Sequence, residues 1–128
     1  MNGLERWHHV MKDGNMEALY DLLHPDCVFI SPVVHTPQEG REITYAYLRA
    51  ANKALSEDFQ YVREVVQDNH AVLEFTVKVD GIFVNGVDII TFEGDQIVEL
   101  KVMVRPLKAV NAVWKQMGEM LEQLKVAS

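Results

Sequence analysis

Two kinds of hydrophobic spacing divide this chain into a helical first part and a strand-rich second part. Near the N-terminus, apolar residues recur every three to four positions, as at Leu4, Trp7 and Met11, which is the spacing of one helical face. Further along, apolar and polar residues alternate, most clearly from Ala71 to Val79, which is typical of a strand with one buried face. The pattern predicts helices followed by an antiparallel sheet.

Breaks in these patterns place the element boundaries. Gly14 separates two N-terminal helices, Pro32 ends a first strand, and Gly40 precedes a third helix. Glycines at positions 81 and 94 each follow or precede an aspartate, which predicts two tight hairpins. The predicted elements are helices near 4–11 and 16–23, a strand at 26–31, a helix at 41–55, strands at 59–67, 71–79, 83–92 and 96–105, and a last helix at 107–124.

The apolar stripes predict which helix faces are buried. In the third helix the stripe consists of Ile43, Tyr47, Ala50 and Ala54. In the last helix it consists of Leu107, Val110, Trp114, Met117, Leu121 and Leu124. One sheet with helices laid on one face would bury all of these stripes, so we expect the α+β fold class.

Length, composition and charge restrict the possible functions. The chain has 128 residues, 48% of them hydrophobic and 24% charged, which fits a single folded domain spanning residues 1–128. Its net charge of −7 disfavours nucleic acid as a partner. No stretch is long and apolar enough to span a membrane and no signal-peptide core is visible, so we expect no membrane partner and a cytoplasmic location.

Asp88 is the most informative candidate for chemistry. It lies in an otherwise apolar strand, on the face that alternation assigns to Val84, Gly86 and Ile90. Loss of hydration on such a face raises the pKa of a carboxyl group, and a neutral carboxyl can donate a hydrogen bond to a ligand oxygen. The alternative is a structural aspartate bonded to backbone or to a buried arginine.

The remaining candidates are weaker. His35 lies in a loop between two prolines and is either a general base or a solvated histidine. The single cysteine, Cys27, lies in an apolar run and is interpreted as a buried structural thiol rather than a nucleophile. The histidines lack metal-ligand spacing, and no glycine-rich phosphate loop is present, so we expect neither a metal nor a cofactor.

Several segments, taken in order, resemble the NTF2-like superfamily, and specifically its SnoaL-like group, which includes polyketide cyclases and ketosteroid isomerases. The resemblance spans nearly the whole chain. The segments that carry it are Trp7, Gly14, Leu19, Leu22-Leu23, the run from Asp26 through Ser31-Pro32 to Val33, Gly40-Arg41-Glu42, Gly86-Val87-Asp88-Ile89-Ile90, Gln96 to Glu99, and Arg105-Pro106.

This resemblance implies a cone-shaped fold, in which a curved antiparallel sheet wraps around helices and encloses an apolar pocket, with an added C-terminal helix. It implies an apolar small-molecule ligand and a homodimer. The pocket positions that it implies are Trp7, Ser31, Tyr47, Leu73, Phe75, Val77, Asp88, Leu100, Val102 and Val104.

Compared with the ketosteroid isomerases, this chain keeps only part of the catalytic set. The isomerase proton-shuttling aspartate falls on Ser31, and the phenolic oxyanion donor falls on Trp7. The second oxyanion donor, an aspartate kept neutral by an apolar site, falls on Asp88 and is retained. Two further pocket tyrosines fall on Leu23 and Leu48, which makes the implied pocket more apolar.

Three hypotheses therefore remain. The first is an isomerase or cyclase in which neutral Asp88 binds a carbonyl oxygen and His35 or a water molecule acts as the base. The second is a non-catalytic binder of an apolar ligand, which the serine at position 31 favours. The third is a dimeric interaction module.

Overall fold

The computed structural model describes residues 2–127, with side chains described as far as Glu122. The structure has four helices and six strands. They follow one another in the predicted order, except that one short strand is added after the first. Their bounds are α1 Gly3–Asp13, α2 Met16–Leu22, β1 Leu23–Ile30, β2 Gln38–Glu39, α3 Arg41–Ala54, β3 Glu57–Gln67, β4 His70–Val79, β5 Ile82–Glu93, β6 Gln96–Arg105 and α4 Leu107–Ala127.

The strands form one curved sheet in the order β2-β1-β6-β5-β4-β3, which does not close into a barrel. Strands β3 to β6 are an antiparallel meander, as the sequence predicts. Strand β1 joins the meander by pairing in parallel with β6, and β2 pairs antiparallel with β1. The α+β cone fold is confirmed, and the parallel pairing and strand β2 are additions that the sequence did not predict.

Local backbone chemistry explains the sharp reversals in the chain. Asp80 and Gly81 both have positive φ, at 52° and 75°, which is the requirement of the two-residue turn that joins β4 to β5. At the start of α2, the side chain of Asn15 accepts a hydrogen bond from the amide of Ala18 at 3.1 Å. The hairpin matches the sequence prediction.

The core lies against the inner face of the sheet. Residues 73, 75, 77 and 79 of β4 are all buried, which confirms the predicted alternation. Strand β5 contributes a second buried row with the same period, in which Asp88 is 8% exposed. Helices α1 and α3 cover this face, because Trp7 and Leu48 pack in the same apolar cluster as Leu73 and Ile90.

The predicted stripes of the two longest helices are rotated from those observed. In α3 the buried residues are Thr44, Leu48 and Ala50, whereas Ile43 is 37% exposed. In α4 they are Ala109, Val113 and Met117, whereas Leu107 and Trp114 are 76% and 64% exposed; Leu124 lies outside the described side chains. Ala50 and Met117 belong to the predicted stripes and are buried as expected, and Ala50 and Ala109 pack in one apolar cluster formed by α3, α4 and the sheet.

Among the helices of residues 2–127, none combines the length and the apolar character that a membrane span requires.

Candidate functional site

A cavity of about 390 Å³ lies between the inner face of the sheet and helices α1, α3 and α4. This volume is within the usual range for small-molecule sites, about 300–1,000 Å³. Most of its wall is hydrocarbon or aromatic. The lining residues are Trp7, Met11, Phe29, Ser31, Pro32, Val33, Val34, Tyr47, Leu48, Ala51, Asn52, Leu55, Ser56, Phe59, Tyr61, Phe75, Asp88, Leu100, Val102, Val104, Val113, Trp114, Met117, Gly118 and Leu121.

Three polar groups in the wall form a hydrogen-bonded chain. The indole N–H of Trp7 donates to the Tyr61 hydroxyl at 3.0 Å, and that hydroxyl donates to Oδ2 of Asp88 at 2.7 Å. An indole N–H can only donate, so the phenolic oxygen must accept from it and direct its own hydrogen at the carboxyl group. The hydrogen bonds therefore run in one direction, from Trp7 on α1 through Tyr61 on β3 to Asp88 on β5.

The pKa of Asp88 is raised from 3.8 to about 6. Burial is the main cause, because the charged form of the carboxyl group loses its hydration; the hydrogen bond from Tyr61 acts in the opposite direction. The pKa of Tyr61 is also raised, by burial and then by the neighbouring carboxylate, so the phenol stays protonated and remains a donor. Asp88 therefore exchanges its proton close to neutral pH.

The two oxygens of Asp88 have different environments. Oδ2 is occupied by Tyr61, whereas Oδ1 receives no hydrogen bond from any residue of the described chain. Because Asp88 lines the cavity, Oδ1 is the oxygen available to a ligand. When the carboxyl group is neutral, the fixed direction of the Tyr61 bond places the proton on Oδ1.

The structure brings most of the predicted pocket residues together. In addition to Asp88, the residues that line the cavity as predicted are Trp7, Ser31, Tyr47, Phe75, Leu100, Val102 and Val104. Leu73 and Val77 do not line it. Both are buried in the apolar clusters behind the wall, where they are 0% and 1% exposed.

His35 also lies apart from the cavity. The loop after β1 contributes Pro32, Val33 and Val34 to the wall, but His35 itself is exposed and is not part of the lining. In this structure His35 is therefore not placed to exchange a proton with a molecule in the cavity. The thiol of Cys27 is fully buried, and burial raises its pKa, as expected of a structural cysteine.

Ser31 has a structural role that its position in the sequence did not reveal. Its Oγ accepts hydrogen bonds from the amides of Val33 and Val34, at 3.1 and 3.3 Å, and so holds the turn at the end of β1. A hydroxyl that accepts two amide hydrogens is poorly suited to accept a proton as well. It remains able to donate its own hydrogen at the cavity wall.

Tyr61 lines the cavity and bonds to Asp88, although the sequence did not single it out. The only sequence signal was the alternation of Phe59 and Tyr61 at the start of β3, which puts both rings on the inner face. The rings of Phe59, Tyr61 and Phe75 pack together, with centroid distances of 5.0 Å from Phe59 to Tyr61 and 5.2 Å from Phe59 to Phe75. This aromatic packing orients the Tyr61 hydroxyl toward Asp88.

Comparison with known proteins identifies the family. The sequence profile of the SnoaL-like domain matches residues 4–100. This chain belongs to the SnoaL-like domain family. Its structure is similar to that of a steroid delta-isomerase from Pseudomonas aeruginosa, with 34% sequence identity and a TM-score of 0.92 over 98% of this chain and 93% of that one.

Two further solved structures show how far this SnoaL-like fold extends. A bacterial protein with a cystatin-like fold from Silicibacter pomeroyi is 30% identical, with a TM-score of 0.84 over 91% of this chain and 83% of that one. An NTF2-like protein from Burkholderia xenovorans is 18% identical, with a TM-score of 0.65 over 85% and 88%, and shows the fold alone. No protein with a curated description matches.

The SnoaL-like cavity offers no set of ligands for a metal. Among the described residues, no group of three or more histidine, cysteine, aspartate or glutamate side chains is close enough to hold a metal ion. Asp88 supplies the one carboxyl group among the described residues that line the cavity.

Proposed function

We propose that this SnoaL-like domain binds an apolar small molecule that carries a carbonyl group, and that neutral Asp88 donates a hydrogen bond to the carbonyl oxygen. The observation that carries the proposal is the open Oδ1 of Asp88 in an apolar cavity, with its partner oxygen already held by Tyr61. A carboxyl group with a pKa of about 6 is neutral in a substantial fraction of molecules just below neutral pH.

Such a hydrogen bond supports reactions that pass through an enolate. Negative charge develops on the carbonyl oxygen when a neighbouring C–H bond is broken, and a donor fixed at that oxygen in a dry site stabilises the charge. Isomerisation of a double bond next to a ketone and ring closure by carbon–carbon bond formation both belong to this class. The similarity to a steroid delta-isomerase supports the first of these reactions.

A non-catalytic binding function is the second candidate, and a specific observation favours it. Enolisation needs a base, and the residues that line the described cavity include no histidine and no carboxylate other than Asp88. Ser31, which the resemblance places where isomerases keep their base, is engaged by two backbone amides. A water molecule would have to take the proton for the cavity to be catalytic.

We predict that ketone binding weakens as the pH rises through 6. Methyl naphthyl ketone is a suitable probe, because its carbonyl adjoins an apolar ring system. If only neutral Asp88 binds it, affinity measured by isothermal titration calorimetry falls about tenfold between pH 5 and pH 7, since the neutral fraction falls by that factor around a pKa of 6.

The matched control for this measurement is Asp88→Asn. The amide keeps its oxygen for the Tyr61 hydroxyl and presents its NH₂ group to the cavity, so it donates at every pH. We expect the variant to bind the ketone with an affinity that does not change between pH 5 and pH 7. A wild-type affinity equally insensitive to pH would refute the role of neutral Asp88.

Exchange of the ketone's methyl hydrogens in D₂O separates the enzyme from the binder. If the cavity promotes enolisation, NMR will show exchange faster than in buffer, and that excess will be lost when the cavity is blocked by substituting Ala51 with Trp. Binding with exchange at the buffer rate would assign the non-catalytic function.

We also propose that two copies associate through the outer face of the sheet. Apolar side chains cluster there at adjacent positions of neighbouring strands. Val87 lies opposite Met103, and Ile89 lies opposite Val72. Phe83 and Met103 are 58% and 52% exposed. Exposed apolar side chains on a sheet face, here flanked by charged ones such as Glu74 and Lys101, suit a self-complementary interface.

Light scattering tests the dimer. We expect twice the chain mass at micromolar concentration, and the mass of one chain for Met103→Lys, because the lysine would place two like charges near the symmetry axis. Leu107→Lys on α4 is the control, since Leu107 is 76% exposed but lies away from the sheet face. A wild-type mass of one chain would rule out the interface.

A further inference from the structure

The charge of the cavity points to a second class of ligand. Apart from Asp88, the lining residues whose side chains can ionise are Tyr47 and Tyr61, and a phenol cannot carry a positive charge. No lysine, arginine or histidine lines the cavity within the described chain. When Asp88 releases its proton, its negative charge therefore has no positive partner in the wall.

An unpartnered carboxylate in an apolar site is unfavourable, and a cationic ligand would relieve it. Oδ2 already accepts a hydrogen bond from Tyr61, which leaves Oδ1 for one further donor. A primary ammonium group carries three N–H donors and one positive charge, so it satisfies both the open oxygen and the charge.

The aromatic wall provides a second contribution that favours a cation. Tyr61, which is bonded to Asp88, packs edge-on against Phe59 and Phe75, with centroid distances of 5.0 and 6.5 Å. The faces of such rings attract an ammonium group within about 6 Å. The net charge of −7 on the chain also favours the approach of a cation over that of an anion.

We propose that, with Asp88 ionised, the cavity binds an apolar primary amine as its ammonium ion. The ammonium group donates to Oδ1 of Asp88, and the hydrocarbon part of the ligand occupies the apolar wall around Phe75 and Val102. This inference uses the same cavity as the ketone proposal but the opposite protonation state of Asp88, so either can fail without the other.

Among the described residues that face Asp88 from the neighbouring elements, Tyr61 is the one other group that can titrate, and its raised pKa keeps it protonated. Trp7 reaches it from α1 through Tyr61 of β3, Leu73 lies opposite it on β4, and Val102 lies opposite it on β6. A histidine also lies next to Tyr61: the ring centroid of His8 is 5.6 Å from that of Tyr61, and its Nε2 bonds to Glu64 at 2.6 Å. His8 is therefore the group that a control must remove.

The test compares naphthylethylamine with methyl naphthyl ketone, which share one skeleton and differ at the carbon that carries nitrogen or oxygen. Calorimetry at pH 5 and pH 7 is expected to show amine affinity rising about tenfold, because the ionised fraction of Asp88 rises by that factor around a pKa of 6. Ketone affinity changes in the opposite direction.

Two variants make the test decisive. In Asp88→Asn, amine binding at pH 7 is expected to fall at least tenfold while ketone binding persists, whereas His8→Gln is expected to keep the wild-type pH dependence of both probes. Amine binding that is undetectable at millimolar concentration, or that survives unchanged in Asp88→Asn, would overturn this inference. A ketone without measurable affinity would instead count against the proposed function alone.

Discussion

Replacing Asp88 with asparagine is expected to stabilise the folded chain by about 2–3 kcal/mol at pH 7.5. The pKa of Asp88 rises from 3.8 to about 6 on folding, and one pKa unit corresponds to about 1.4 kcal/mol. Because the raised pKa favours the neutral form in the folded state, the wild type has its full stability below pH 4. It loses stability as the pH rises through 6. Asparagine cannot ionise, so the variant avoids this loss.

Urea unfolding of both proteins at pH 4 and pH 7.5 measures the effect. The gap between the two free energies of unfolding is expected to shrink below about 1 kcal/mol at pH 4, where the unfolded carboxyl group is itself half protonated. Asp95→Asn, at an exposed turn position, is the control and is expected to change stability little at either pH. A variant that is less stable than the wild type at pH 7.5 would show that ionised Asp88 is compensated by a partner.

Replacing Gly86 with alanine is expected to destabilise the fold by about 1–3 kcal/mol or more. A Cβ atom at this position would lie 2.6 Å from Cζ of Phe75 and 2.7 Å from the carbonyl oxygen of Met103. The oxygen belongs to the neighbouring strand and cannot move without disturbing its hydrogen bonds. The glycine therefore lets the Phe75 ring lie directly over the backbone of β5, beside Asp88.

Gly118→Ala is the matched control for this substitution. Beyond the backbone of its own helix and its chain neighbours, no atom lies within 4 Å of its added Cβ, so alanine is expected to stabilise the protein by about 0.5–1 kcal/mol. Thermal or urea unfolding of both variants gives the comparison. If Gly86→Ala were as stable as the wild type, Phe75 would have to shift, and the described wall of the cavity would be wrong.

The spacing of apolar residues along the sequence was enough to predict which side chains of a strand face the core. Alternation in β4 and β5 put Phe75 and Asp88 on the inner face, and the turn residues Asp80 and Gly81 fixed the hairpin between the two strands. An aspartate on a buried face needs either a partner or a ligand, so Asp88 could be identified from the sequence alone.

The partner of Asp88 could not be identified in the same way. Tyr61 lies on β3, which is separated from β5 by the whole of β4, so the two residues meet only because the sheet curves. Alternation gives the face of a side chain but not its distance from a residue two strands away. The register of β3 also shifts between Tyr61 and Arg63, which ends the simple period of that strand.

The other differences come from tertiary packing and from loops. In α4, tertiary packing buries Ala109 and Val113, whereas helical spacing alone put the larger Leu107 and Trp114 on the buried stripe. His35 lies in a loop bounded by prolines, where no period relates sequence position to direction. The exposure of His35 and its position outside the cavity wall could therefore be read only from the structure.

Titration of the Asp88 carboxyl carbon by ¹³C NMR is the most direct test of the proposed ketone binding. That proposal depends on a carboxyl group that is buried, open at Oδ1 and still partly neutral close to neutral pH. We predict an apparent pKa of about 6 for the wild type, and a higher pKa for Tyr61→Phe, because that variant loses the hydrogen bond that favours the charged form. An ordinary aspartate pKa near 4 in the wild type would contradict the ketone proposal, because Asp88 would then be ionised throughout the neutral range.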